Sequence, residues 1–186
     1  IGRRTGLVDK MHHQTDADEV DRMIEEIIRC MEDLSKRKVG VLIVVEHKTA
    51  LGDIIETGNP IDSIVSAPLL ENIFEPSTPL HDGATVIRGT RIVAAGCFLP
   101  LTEENSISKQ LGTRHRAAIG VTENTDATSL VVSEETGTMS MARGGKLTRH
   151  MDAEAIRAVL HGIYDPDKES VSGVLTPVLT KWRSKK

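Results

Sequence analysis

Aromatic side chains are nearly missing: Phe74, Phe98, Tyr164 and Trp182 are the four rings in 186 residues. The core must therefore be aliphatic, and a surface that stacks successive bases of single-stranded nucleic acid is disfavoured. Cysteine is as scarce. Cys30 and Cys97 lie far apart with no Cys-x-x-Cys spacing, so neither a disulfide framework nor a thiolate zinc site is indicated, and a reducing compartment is inferred. No run approaches the roughly 18 apolar residues that span a bilayer, and no signal-peptide pattern opens the chain, which as it stands is expected to be soluble. Neither a Walker A loop nor Gly-x-Gly-x-x-Gly occurs, so the common nucleotide-binding fingerprints are missing too. There is no internal repeat and no low-complexity tract.

What remains is globular composition, 39% hydrophobic and 27% charged, with room for one ordinary domain. A net charge of -4 and a pI near 6.0 give no global attraction to nucleic acid or anionic lipid, so any anion must be held by a local cluster. The chain begins with Ile1 rather than Met, and is expected to be a fragment whose missing N-terminus could hold anything, membrane spans included.

Residues 1–14 carry Arg3, Arg4, Lys10, His12 and His13 without periodicity and read as a linker, with His12 and His13 solvated. From Thr15 the pattern is helical: Val20, Met23, Ile24, Ile27, Ile28, Met31 and Leu34 recur on one face, Asp16 and Glu19 resemble a capping box, and Lys36-Arg37-Lys38 suit the negative end of a helix dipole. A helix is predicted over Asp16 to Arg37. Gly40 ends it, and Val41 to Val45 reads as a strand buried on both faces, which makes the domain layered α/β. Ile54-Ile55 and Ile61, separated by Gly58-Asn59-Pro60, suggest short strands about a turn. Ala67 to Phe74 reads as a short helix stopped by Pro76 and Pro79. Ala84 to Ile87 and Ile92 to Leu99 form a hairpin about Arg88-Gly89-Thr90-Arg91, and Cys97 is expected to be buried in it. A helix from Gly112 to about Thr122, a strand from Ser129 to Ser133, a hairpin about Arg143-Gly144-Gly145-Lys146 and a helix from Asp152 to His161 follow. The expected organisation is a linker over 1–14, one domain over 15–165, and a polar tail over 166–186 that is a helix, a linker or a partner-binding segment.

Three clusters carry chemistry. In Leu80-His81-Asp82-Gly83-Ala84, Asp-Gly alone is a turn signal, but a carboxylate and an imidazole at a strand entrance can bind a divalent ion or take a proton from a hydroxyl, and glycine admits a ligand to the backbone. In Gly112-Thr113-Arg114-His115-Arg116, unpaired N–H groups at a helix start and two cationic forks suit phosphate. Basic residues at the positive end of a helix dipole need a compensating anion. Ser133-Glu134-Glu135-Thr136-Gly137 is either an exposed turn or, at a strand's carboxyl end, a ligand contact.

The first two clusters resemble the paired DGA and RHR motifs of the diadenylate cyclase domain. The likeness runs through Ile73-Phe74, Pro79, Phe98-Leu99-Pro100-Leu101 and Val132 to Gly137, and so covers roughly Asp16 to His161. The glutamate pair and the N-terminal helix are similar to the membrane-anchored CdaA type rather than the DNA-scanning DisA type. The resemblance implies a mixed central sheet flanked by helices and an enzyme that condenses two ATP into cyclic di-AMP, releasing two pyrophosphates, across a transient face-to-face homodimer. It implies that Asp82 orients or deprotonates the ribose 3'-hydroxyl and that Gly83 admits the nucleotide. Gly112, Thr113, Arg114, His115 and Arg116 would hold the triphosphate with Ser133 and Glu134, Phe98 and Leu99 would line the adenine site, and Glu135, His81 and Asp82 would ligate Mg²⁺ or Mn²⁺, with Co²⁺ as a further candidate. Phe98 stands where CdaA-type sequences often have tyrosine, so any contact of that hydroxyl is lost. The implied partners are a membrane-bound CdaR-like regulator and a phosphoglucosamine mutase, and the implied location is the cytoplasmic side of a membrane anchor. A nucleotide-binding sensor and an assembly module are the rival readings; Asp82 beside two arginines favours turnover, because a sensor needs phosphate contacts but no base.

Overall fold

Val41-Leu42-Ile43-Val44-Val45 offers water no polar side chain, and it forms strand β1 (Val41–Val45), buried along its whole length. The computed structural model describes residues 5–103 and 111–164, with side chains from Ala17 onward. Around β1 the chain adds helix α1 (Thr5–Arg37), α2 (Gly52–Ile55), β2 (Asn59–Ile64), α3 (Ala67–Phe74), β3 (Ala84–Arg88), β4 (Arg91–Cys97), α4 (Thr113–Glu123), β5 (Thr128–Val132), β6 (Met139–Arg143), β7 (Lys146–Arg149) and α5 (Ala153–Tyr164). The strands form one sheet in the order β2-β4-β3-β1-β5-β6-β7. β1 and β3 are parallel and every other neighbouring pair is antiparallel, which is the mixed sheet flanked by helices that was expected.

Alternation along β1 divides the interior in two. Val41, Ile43 and Val45 face a layer built by α1, α3 and α5, where Ile24, Ile27, Met31, Leu34, Leu70, Phe74, Ile156 and Leu160 are buried. Leu42 and Val44 face the other side, against Ala117, Ala118 and Val121 of α4 and Leu51. Each fully buried aliphatic side chain is worth about 1.5–3 kcal/mol relative to exposure. Both sides are needed, since a strand this apolar leaves neither face for water. Met23, Met31, Cys30 and Cys97 all take core positions. The exposed edge is blunted at β2 by Pro60, by a register shift between Pro60 and Ser63, and by Asp62 at φ 50°.

Two expectations are corrected. α1 begins at Thr5, not Asp16, so residues 5–14 are helical and Asp16 and Glu19 lie inside the helix rather than capping it; no proline interrupts this stretch, and a helix needs no apolar stripe to continue once nucleated. Ile54 and Ile55 lie in the four-residue α2 and not in a strand, a length too short for periodicity to register. The side chains of His12 and His13 and the tail over 166–186 lie outside the described residues.

The end of α1 is tied to the turn after β5. Ser35 Oγ donates to the Gly137 carbonyl at 2.6 Å, Gly137 has φ 75°, and a Cβ there would overlap the Ser35 carbonyl oxygen. Gly137→Ala is expected to destabilise the fold by at least about 1 kcal/mol, from the left-handed backbone alone. Denaturant unfolding checks this, and an unchanged midpoint would show that the turn does not depend on glycine.

Candidate active site

Register brings four strand ends to one edge of the sheet. Val41 lies opposite Val132, so the start of β1 is beside the end of β5. Ile43 lies opposite Thr85 in parallel, so β3 starts at the same edge. Ala84 lies opposite Cys97, which adds the end of β4. The residues entering β3 and leaving β4 and β5 therefore converge, and the start of α4 packs over them. Together they enclose a cavity of about 500 Å³.

Asp82, Gly83, Phe98, Leu99, Gly112, Thr113, Arg114, His115, Ser133, Glu134 and Glu135 all line it. All three sequence clusters thus meet in one cavity. Two predicted residues are not on its wall. His81 turns its Nδ1 to the Thr78 carbonyl at 2.6 Å, and Arg116 donates from Nη2 to the Thr102 carbonyl at 3.2 Å. Sequence reasoning missed Leu42, Cys97, Leu101, Ala117 and Val132 as lining residues; each is a small or aliphatic apolar side chain whose type alone announces no ligand contact.

Gly83 has φ 112°, and a Cβ there would lie 2.7 Å from the backbone carbon of Gly96 and 2.8 Å from the Cys97 carbonyl oxygen. Its missing side chain is thus required by the approach of β4 as well as by any ligand. α4 starts at Gly112 with no side-chain cap and no acid in its first turn, which leaves a positive helix end facing the cavity. Arg114 reinforces it. Its Nη1 reaches Glu134 Oε2 at 2.6 Å, its Nε is buried with no partner among the described residues, and its guanidinium occupies the space a side chain at Gly40 would need: a Cβ there would lie 2.5 Å from Nη1. Glu134 is thus the anion that this helix start was expected to require.

His115 is 5% exposed and its Nε2 has no partner among the described residues. Burial holds its pKa below the ordinary 6.5, with Arg149 pushing the same way and Glu135 opposing. Asp82 and Glu135 are both exposed carboxylates on the cavity wall. Among the described residues no group of three or more His, Cys, Asp or Glu is gathered closely enough to hold a metal ion. Carboxylate oxygen, the donor that Asp82 and Glu135 present on this wall, is the ligand type that hard cations such as Mg²⁺ take.

Residues 28–147 match the model of the DAC family, described as DisA bacterial checkpoint controller nucleotide-binding. The chain belongs to this family. It is 46% identical over 151 residues to a Bacillus subtilis (strain 168) protein named cyclic di-AMP synthase CdaA, an overlap of 81% of this chain and 55% of that one. It is 43% identical over 168 residues to a Listeria monocytogenes diadenylate cyclase, 90% of this chain and 60% of that one. The chain thus spans little more than half the length of these relatives. Among solved structures, a double mutant of DacA from Staphylococcus aureus superposes with a TM-score of 0.75 at 45% identity, covering 77% of this chain and 95% of that one. The DAC fold expected from the motifs is therefore the fold observed.

Two outcomes follow from this DAC site. Gly40→Ala pushes against the movable end of Arg114 rather than against backbone, so affinity for a nucleoside triphosphate is expected to fall about tenfold, the worth of a charge-assisted contact. The melting temperature should hold; a drop of more than about 4 °C would locate the damage in the core instead. The second outcome concerns pH. His115 and His47 both have lowered pKa values, each chiefly through burial, so the unfolded chain binds more protons than the folded one once pH falls below 6.5. Stability is complete above that value and declines as pH drops through the window beneath it. Melting scans from pH 7.5 to 5.5 should show the decline, and His47→Gln with His115→Gln should flatten it; an equal slope in the double variant would place its origin elsewhere.

Proposed function

We propose that this chain is the catalytic domain of a diadenylate cyclase, condensing two ATP into cyclic di-AMP with release of two pyrophosphates. The observation that carries this reading is the convergence of Asp82-Gly83, Thr113-Arg114-His115 and Ser133-Glu134-Glu135 on one cavity. Phosphoryl transfer asks a protein mainly for positioning and charge neutralisation, with a base for the attacking hydroxyl. The start of α4 and Arg114 receive the triphosphate, which displaces Glu134 from the guanidinium. Asp82, exposed at the mouth of β3, orients the ribose 3'-hydroxyl and takes its proton as the oxygen attacks the α-phosphate of the opposing nucleotide. Ser133 adds a hydroxyl donor at the phosphate end. Phe98, Leu99 and Leu101 give the base an apolar wall. A divalent cation held by Asp82 and Glu135, Mg²⁺ or Mn²⁺, would neutralise phosphate charge and help pyrophosphate leave. His81 joins that ligand set only by turning away from Thr78.

Cyclic di-AMP has a two-fold axis and needs two attacks, yet the chain has one DGA motif, one RHR motif and no repeat. Two copies must therefore face each other, and a two-fold pair turns the encounter of two nucleotides into a positioned reaction. Anchoring to a membrane, a CdaR-like regulator and phosphoglucosamine mutase as partners extend this reading by resemblance to the CdaA type; among the described residues no helix is long and apolar enough to cross a membrane.

The test is incubation with ATP and Mn²⁺ followed by mass spectrometry for cyclic di-AMP. Asp82→Asn should bind ATP but lose about 10²–10⁴ in rate, and specific activity should fall as enzyme is diluted. No cyclic product at any enzyme concentration would reject the activity; product formed at constant specific activity where scattering sees only monomer would reject the two-copy mechanism.

A further inference from the structure

Part of the cavity's apolar wall is a strap, residues 98–102, that leaves the end of β4 and belongs to no helix or strand. Phe98 is 68% exposed and Leu101 44%, so their own burial does little to fix them. What fixes the strap lies at its two ends. At the first, the Phe98 amide donates to Thr57 Oγ1 at 2.9 Å. At the second, the strap is fastened to the back of α4. The Thr102 amide donates to the Arg116 carbonyl at 3.1 Å, and the Arg116 guanidinium donates back to the Thr102 carbonyl. Thr102 Oγ1 is bonded to Glu123, and Thr102 is 1% exposed. Between these bonds Gly120 lets the strap lie directly on the helix, because a Cβ there would overlap the Pro100 carbonyl oxygen.

Arg116 thus has a partner, and that partner is the strap. We propose that Arg116 is a positioning residue for the apolar end of the cavity, acting on the base of the nucleotide through Phe98, Leu99 and Leu101, while Arg114 serves the phosphates. This rests on the reading of the cavity as an adenine nucleotide site. It divides the labour of two arginines that the sequence places side by side: residues 114 and 116 are about 200° apart around an α-helix, so one can face the cavity while the other faces the strap.

The two roles differ in how a loss depends on phosphate number. A residue that touches phosphates costs ATP more than AMP when removed; one that holds the base wall costs both equally. The experiment is calorimetric titration of the whole chain with AMP, ADP and ATP, in wild type, Arg116→Ala, Arg114→Ala and Glu123→Ala. Arg116→Ala should weaken all three nucleotides by one common factor of about three- to tenfold, the range of a single lost hydrogen bond. Glu123→Ala, which releases the same strap from the far end of α4, should reproduce that pattern. Arg114→Ala should show a loss that grows from AMP to ATP. An Arg116→Ala loss that grows with phosphate number overturns the proposal, as does a Glu123→Ala variant that binds every nucleotide like wild type. Should Arg116→Ala not fold, Glu123→Ala and Arg116→Lys carry the test, the lysine restoring the phosphate-independent part by donating to Thr102. A wild-type chain that binds none of the three nucleotides would fail the functional reading itself, an outcome separate from either pattern.

Discussion

The site depends on β1 pairing in two senses at once, parallel to β3 and antiparallel to β5. A fully parallel sheet would gather only carboxyl ends at a ligand edge. Here the edge receives the start of β1 and β3 and the end of β4 and β5. An Asp-Gly entering a strand can therefore face a Ser-Glu-Glu leaving one. A slip of one residue in either pairing would turn the alternate side chains of β1 to the wrong layer, and since both of its faces are buried that slip is opposed from both sides. The packing that stabilises the fold is thus the same constraint that aligns the loops of the cavity.

The fold was legible wherever burial wrote a pattern into the sequence. The continuous apolar run of β1, the apolar stripe of α1 from Val20 to Leu34 and the Gly89-Thr90 turn between β3 and β4 each reflect a local rule with a local cause. Residues 5–14 escaped because no apolar stripe in their sequence records the helix. Ile54-Ile55 escaped because a single helical turn and a short strand make the same demand on two adjacent aliphatic residues.

The site was legible in its chemistry and opaque in its partnerships. Two arginines at a helix start state a need for negative charge, and that need can be read from residues 112–116 alone. That Glu134 meets it for Arg114, and that Thr102 engages Arg116, depends on how β5 and the strap are brought to α4, which no local spacing encodes. Gly40 is the clearest case. In sequence it is a helix terminator, and that role is sufficient to explain it; the guanidinium lying against it comes from α4, which packs on the face of β1 opposite to α1. The same holds for Gly83, whose turn signal conceals a close approach of β4.

The two ends of the cavity are prepared in opposite ways. At the end proposed for the phosphates Arg114 already has an ion-pair partner in Glu134, so a triphosphate bound there would exchange one anion for another and gain only the difference. Because Glu134 is 63% exposed, the pair it gives up is a weak one by the standards of surface ion pairs, and the exchange favours a multiply charged ligand. At the base end nothing is exchanged. Phe98 and Leu101 stand in water until a ring or a facing chain covers them, and the area they bury is gained outright at about 25 cal/mol per Å². That gain is available only if the strap is already in place, since ordering a free loop on binding would consume much of it. The hydrogen bonds at Thr57, Arg116 and Glu123 place that ordering within folding, so the strap waits preformed for its ligand.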